Sequence, residues 1–200
     1  KVGAPTTLYA EGIFSLKPTL VILKADPAPP PIFDQLRNAG IAVLTLTPTY
    51  TVEAVTQKID TIGKAVDASD KAAVLDRKID SEMSDVAKLL AEMPERPKVM
   101  FVGKGPNMPN ATTSGAGTTI DEMIKLAGGI NAFKAFTGFR PMTDEAVVAA
   151  QPDAILITEK SFERSGGVKG VVTFPGVALT PAGKNKRIIP VSDMYFQGFG

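Results

Sequence analysis

With no cysteine and no histidine in 200 residues, this chain has neither a thiolate nor an imidazole to offer. Those absences remove the commonest general base, a common class of metal ligand, any Ser-His-Asp triad and any His-bearing zinc site. The chemistry left belongs to carboxylates, hydroxyls, phenols, thioethers and cations. Two glutamates stand out by their spacing. Glu11 and Glu145 each open a short apolar helical turn, and each is followed seven residues later by a proline, Pro18 and Pro152, that leads into an apolar strand. A carboxylate in the first turn of a helix is favourable against the helix dipole. The same carboxylate repeated 134 residues along the chain also suits two acidic knobs, one per lobe, docking on a basic partner.

Tyr9, Tyr50 and Tyr195 are the only tyrosines, and Met108 and Met142 fall in expected loops. Phenolate oxygen and thioether sulfur can both bind haem iron, although both residue types more often serve packing. Arg140, beside Pro141, suits either a ligand carboxylate or a solvated surface. The segment from Lys104 through Asn107 and Met108 to Gly117 joins a strand to a helix and is rich in Gly, Asn and Thr. It lacks the Gly-Lys-Ser/Thr of a phosphate loop. Its glycines let backbone approach a ligand, and the following helix N-terminus can meet an anionic group; a surface loop is the alternative. The basic run 180–187 reads as a solvated turn.

The elements that must position these residues alternate. Apolar runs at 20–23, 41–46, 99–103, 154–158 and 187–191 have strand length, and helical patterns at 10–16, 31–38, 118–126 and 144–150 lie among them. Residues 1–9 read as loop, 104–117 as loop and 161–172 as helical in part, interrupted by Gly166-Gly167. Residues 52–66 form one helix, and 71–93 a longer one with Asp70 as its N-cap. The apolar stripe of the longer helix is Leu75, Ile79, Met83, Val86, Leu90 and Met93. Two similar units joined by such a helix predict an α/β fold: two lobes with parallel-type sheets and a cleft between them. The domains read as an incomplete N-terminal lobe over 1–50, a helical segment over 51–96 including the lobe-linking helix, and a C-terminal lobe over 97–200. The formal net charge of +1 is not a nucleic-acid footprint. No run approaches the ~20 apolar residues of a membrane span, and the start at Lys1 shows no signal peptide.

Several segments resemble the periplasmic haemin-binding proteins. Ala10-Glu-Gly-Ile-Phe-Ser-Leu-Lys-Pro-Thr-Leu-Val is similar to their Ala-Glu-Gly-Ile-Leu-Ser-Leu-x-Pro-Asp-Leu-Val. Gly115-Ala-Gly-Thr-Thr-Ile-Asp-Glu-Met-Ile-Lys-Leu-Ala-Gly-Gly-Ile-Asn-Ala, Arg140-Pro-Met-Thr-Asp-Glu-Ala, Phe174-Pro-Gly-Val-Ala-Leu-Thr-Pro-Ala-Gly and Tyr195-Phe-Gln-Gly-Phe-Gly resemble their second-lobe segments. The broader family is the helix-linked substrate-binding proteins of ABC importers for haem, siderophores and cobalamin. The resemblance implies a non-enzymatic, periplasmic or lipid-anchored protein that captures haem as transported ligand. It implies docking of Glu11 and Glu145 on permease arginines, and further structure at both ends of the chain. Where the family carries an iron-ligating tyrosine after Val-Gly, this chain reads Val2-Gly3-Ala4.

The expected ligand-binding set is therefore Tyr9, Lys104, Asn107, Met108, Arg140, Met142 and Tyr195, with Tyr9 or Met108 as iron ligand. The missing tyrosine keeps a ferric siderophore or cobalamin open as the ligand. An α/β enzyme would need carboxylate or lysine chemistry, and no such constellation stands out.

Overall fold

A computed structural model describes residues 3–4, 7–8, 10–24, 32–47, 49–105, 108 and 110–197. The chain divides into two compact units, Lys1–Asp80 and Ser81–Gly200.

In the first unit, β1 (Gly3–Ala4) and β2 (Thr7–Leu8) form a short antiparallel pair. This corrects the expectation of loop over 1–9; two-residue strands have no alternation to read. After α1 (Ala10–Phe14) come β3 (Leu20–Lys24), α2 (Ile32–Asn38) and β4 (Ala42–Leu46). β3 and β4 pair in parallel in unbroken register from Leu20–Ala42 to Lys24–Leu46, the β-α-β unit that the apolar runs predict. Ile13, Ile32, Phe33 and Leu36 form its core. Gly40, at φ +76°, ends α2 in the left-handed conformation that favours glycine.

α3 (Val52–Ala65) is N-capped by Thr51, whose hydroxyl accepts from the Ala54 amide at 3.2 Å. α4 (Ser69–Ala91) follows almost at once. Gly63 faces Ala72 so closely that an added Cβ would lie 2.6 Å from that methyl. Asp70 is not the N-cap: the helix begins at Ser69, and Asp70 lies in the first turn, where its charge still meets the dipole favourably. Of the expected stripe, Ile79, Met83, Val86 and Leu90 are half-buried while Leu75 and Met93 are exposed, Met93 lying beyond the helix end at Ala91; Ala72 is the buried residue of α4. The boundary between the two units falls inside this helix.

The second unit is built on β5 (Lys98–Gly103), β6 (Thr112–Ser114), α5 (Thr119–Leu126), β7 (Ile130–Asn131), β8 (Phe139–Pro141), α6 (Asp144–Ala150) and β9 (Ala154–Thr158). It continues through α7 (Glu159–Arg164), α8 (Gly167–Val172), a 3-10 turn Val177–Leu179, α9 (Pro181–Lys184), β10 (Ile188–Val191) and α10 (Asp193–Gln197). The strand order is β10-β9-β5-β6-β8, with β7 also on β5. β10, β9, β5 and β7 are parallel, but β6 and β8 run antiparallel, so the sheet is mixed rather than all-parallel. β7 takes the Lys98–Val99 end of β5 and β6 the Val102–Gly103 end.

Alternate side chains of β5 enter opposite faces. Val99 and Phe101 pack with Ile120 and Ile124 of α5, and the Phe101 and Phe196 rings stack at 6.0 Å. Met100 and Val102 join Val147 of α6, Ile155, Ile157, Val171 and Val177 in the larger core. Gly166, at φ +80°, breaks 159–172 into two helices. The 180–187 stretch is not simply a turn. Thr180 caps a helical turn whose Ala182 and Gly183 are buried, while Lys184, Lys186 and Arg187 are solvated.

Candidate ligand-binding site

A pocket of about 500 Å³ opens in the second unit between α6, the edge strand β8 and the loop that precedes it. Its walls are mostly small and apolar: Ala132, Ala135, Ala146, Ala149 and Ala150, with the larger Phe133, Phe136 and Met142. The alanines of α6 share one helix face, since positions three and four apart are neighbours. The two phenylalanine rings lie 6.0 Å apart and tilted by 53°. Arg140 is exposed at the rim, its guanidinium carbon 4.7 Å from the centre of the Phe136 ring.

The loop bearing Phe136 is held from behind by the Gly115–Gly117 segment. Gly115 N–H donates to the Gly138 carbonyl at 2.7 Å, Ala116 N–H to the Phe136 carbonyl at 2.7 Å, and Gly138 N–H to the Ala116 carbonyl at 3.2 Å. A Cβ at Gly115 would collide with the Phe136 carbonyl and ring. Gly115 therefore admits a neighbouring loop of the same chain, whereas a Cβ at Gly117 would meet open space. Below them, Thr118 caps α5 by accepting from the Asp121 amide at 3.1 Å and meets the Ser114 hydroxyl at 2.7 Å.

Asp121 is buried yet well satisfied. It takes Lys125 Nζ at 2.8 Å, Asn131 Nδ2 at 3.0 Å and the Gly117 amide at 3.1 Å. Burial pushes its carboxyl pKa up, but the bonds from Lys125, Asn131 and Gly117, with the Lys125 charge, outweigh burial and hold it below the ordinary carboxylate value.

Arg140 and Met142 thus come together in one pocket, Met142 as a buried wall residue that also belongs to the core. Lys104 lies elsewhere, at the exit of β5. Its carbonyl accepts from the Ser161 hydroxyl and from Arg164 Nη2, both at 3.0 Å. Met108 is 40% exposed, and its Sδ accepts the Gly105 amide at 3.3 Å. Tyr9 and Asn107 lie outside the described residues, as does the side chain of Tyr195, whose backbone belongs to α10. Glu11 and Glu145 are both exposed in the first turn of a short helix. The α6 turn that carries Glu145 is fastened by Thr143 at its N-cap and by Asp144, which accepts the Gly176 amide at 2.6 Å.

Sequence reasoning missed Phe136 and the α6 alanines. The Phe133–Phe136 spacing inside a short loop was the available signal. Among the described residues no group of three acidic side chains is placed to hold a metal ion.

The family model described as periplasmic binding protein matches residues 1–193. An uncharacterized ABC transporter substrate-binding lipoprotein of Bacillus subtilis (strain 168), YvrC, is 34% identical over 84% of this chain and 55% of that protein. The periplasmic heme-binding protein RhuT from Roseiflexus sp. RS-1, solved in apo form, is 36% identical with a TM-score of 0.84, over 97% of this chain and 74% of that one. The periplasmic heme-binding protein BhuT in complex with two hemes is 34% identical with a TM-score of 0.90, over 100% of this chain and 76% of that one. The chain spans about half the length of the curated relatives it matches.

Proposed function

Because the chain belongs to the periplasmic binding protein family, we propose that it is the substrate-binding component of an ABC importer, capturing haemin and handing it to a membrane permease. The observation that carries the ligand is the 34–36% identity to two heme-binding proteins of known structure, one of them holding two hemes. Such a protein works in the periplasm, or anchored by lipid outside the membrane. It changes no bond in its cargo; capture and release are its whole chemistry.

The pocket of the second unit supports the reading. Its alanine and phenylalanine walls suit the flat apolar body of a porphyrin, whose burial drives binding at roughly 25 cal/mol per Å². Arg140 at the rim suits a propionate, because a guanidinium meets a carboxylate with paired N–H donors. The iron donor would be an oxygen or a sulfur, and Tyr9 and Met108 are the residues whose types suit that role. Glu11 and Glu145, exposed on equivalent helical turns, dock on basic residues of the permease.

Haemin titration followed by Soret absorbance tests this, with Tyr9→Phe and Met108→Ala alongside. A saturable shift that one of the variants loses is expected; no shift at all would sink the proposal. A second reading rests on Ala4, which stands where the resemblance expects an iron-ligating tyrosine, and on the absence of histidine. A ferric siderophore or cobalamin brings its own coordination and asks for no protein ligand. Tight binding of cyanocobalamin or a ferric siderophore in parallel titrations, with weak haemin binding, would decide for it.

A further inference from the structure

β6 and β8 pair with Thr113 directly opposite Arg140. Residues opposed in an antiparallel pair send their side chains to the same face, with Cβ atoms about 5 Å apart, and both of these line the pocket. Thr113 is 2% exposed. Among the described residues its Oγ1 is one of two buried side-chain oxygens without a hydrogen-bond partner, the other being Asp76 Oδ1 in the first unit. A buried hydroxyl left unpaired is unusual. Its neighbours are paired: Thr112 donates to the Gly103 carbonyl, and Ser114 and Thr118 share a bond.

Arg140, for its part, lies over the Phe136 ring and forms no ion pair with a described carboxylate. A guanidinium lying over a ring face keeps N–H donors at its edge. The strand pairing therefore sets Thr113 and Arg140, neither side chain with a hydrogen-bond or ion-pair partner among the described residues, side by side on one wall of a pocket whose lining is otherwise apolar except for Thr143.

We propose that Thr113 is a ligand-binding residue, and that its hydroxyl and the Arg140 guanidinium hold one carboxylate of the bound molecule between them. The Thr113 O–H donates to the carboxylate, Arg140 donates its N–H groups, and Phe136 fixes the guanidinium against the wall. The ligand class is a flat apolar molecule bearing a carboxylate on a short arm. This inference rests on the haemin reading, in which a propionate is that carboxylate.

The test compares haemin with haemin dimethyl ester, whose carboxylates are blocked, by Soret titration of the protein and of its Thr113→Val, Thr113→Ala, Thr113→Ser and Arg140→Ala variants. The protein is expected to prefer haemin. Arg140→Ala cuts that preference about tenfold or more, and Thr113→Val about threefold or more. Thr113→Ser, which keeps the hydroxyl, restores the preference. Valine matches threonine in shape and removes an unpaired polar atom, so a packing role alone predicts equal or greater stability and an unchanged preference. Thr113→Ala gives the same reading should the valine variant fail to fold. A preference unchanged in Thr113→Val or Thr113→Ala, but reduced in Arg140→Ala, overturns the inference. Equal affinity for haemin and its ester in the unsubstituted protein also overturns it, while haemin capture still stands. No Soret change with haemin removes the functional reading itself, and this inference with it.

Discussion

Lys17 and Gln151 share one backbone conformation. Both are left-handed, at φ 46° and 44°, both immediately precede a proline, and both lie six residues after one of the paired glutamates. The repeat is thus geometric as well as compositional: a helical turn carrying glutamate, a left-handed residue, a proline, then a strand of a parallel pair.

A side chain in the left-handed region costs roughly 1–2 kcal/mol, which glycine avoids. Lys17→Gly is therefore expected to raise unfolding free energy by about 1 kcal/mol. Gln151→Gly gains less, because the Gln151 Nε2 bond to the Val148 carbonyl, 2.7 Å, is lost with it. Urea unfolding of both variants checks this. A loss of stability at Lys17→Gly would show that the turn carries no strain to relieve.

Asp121 makes stability depend on pH. Its folded-state pKa lies below the ordinary carboxylate value, so the fold favours the ionised form. That contribution is fully present above the unfolded value near 3.9 and is lost as pH falls through the lower folded value. Asp121→Asn is expected to cost about 2–3 kcal/mol at pH 7, and the gap to the unsubstituted protein narrows below about pH 4. Thermal unfolding from pH 7 to pH 2 measures it; a gap constant over that range would mean the charge contributes nothing.

Gly115→Ala should act on the pocket from outside it. The new methyl drives into the Phe136 carbonyl and ring, and overpacking of this kind costs about 1–3 kcal/mol. Haemin affinity is expected to drop together with the melting temperature, because Phe136 lines the pocket proposed to hold the ligand. Full affinity in a destabilised variant would detach Phe136 from ligand binding.

Glu11→Ala and Glu145→Ala should separate capture from delivery. Both carboxylates are exposed, so each substitution is expected to change stability by less than about 1 kcal/mol and to leave haemin affinity unaltered. Haemin uptake into proteoliposomes holding the partner permease and ATPase should fall in each single variant and nearly vanish in the double variant. Undiminished uptake in the double variant would remove the docking role.

Strands β3, β4, β5, β9 and β10 were legible because each is a run of apolar residues of strand length, as parallel pairing requires. β6, β7 and β8 were not. They are two or three residues long, and Phe139-Arg-Pro is exposed throughout, so nothing in it alternates. The interest of Arg140 was readable from its type and the resemblance around it. The aromatic platform beneath it and the opposed Thr113 depend on an antiparallel pairing that no periodicity announces. Lys104 is placed by its main-chain carbonyl, a group that every residue carries and no sequence can mark.

Between Asp80 and Ser81 one compact unit gives way to the other with no linker at all. A protease or a gene truncation at that point would leave stubs of twelve and eleven helical residues. Isolated helices shorter than about 12–15 residues are marginal in water, and only Ala72 of these residues is buried. Each excised half would carry a frayed end, and mixing the halves would restore order there only by rebuilding a helix neither owns. The natural seam of the chain is a poor place to cut it.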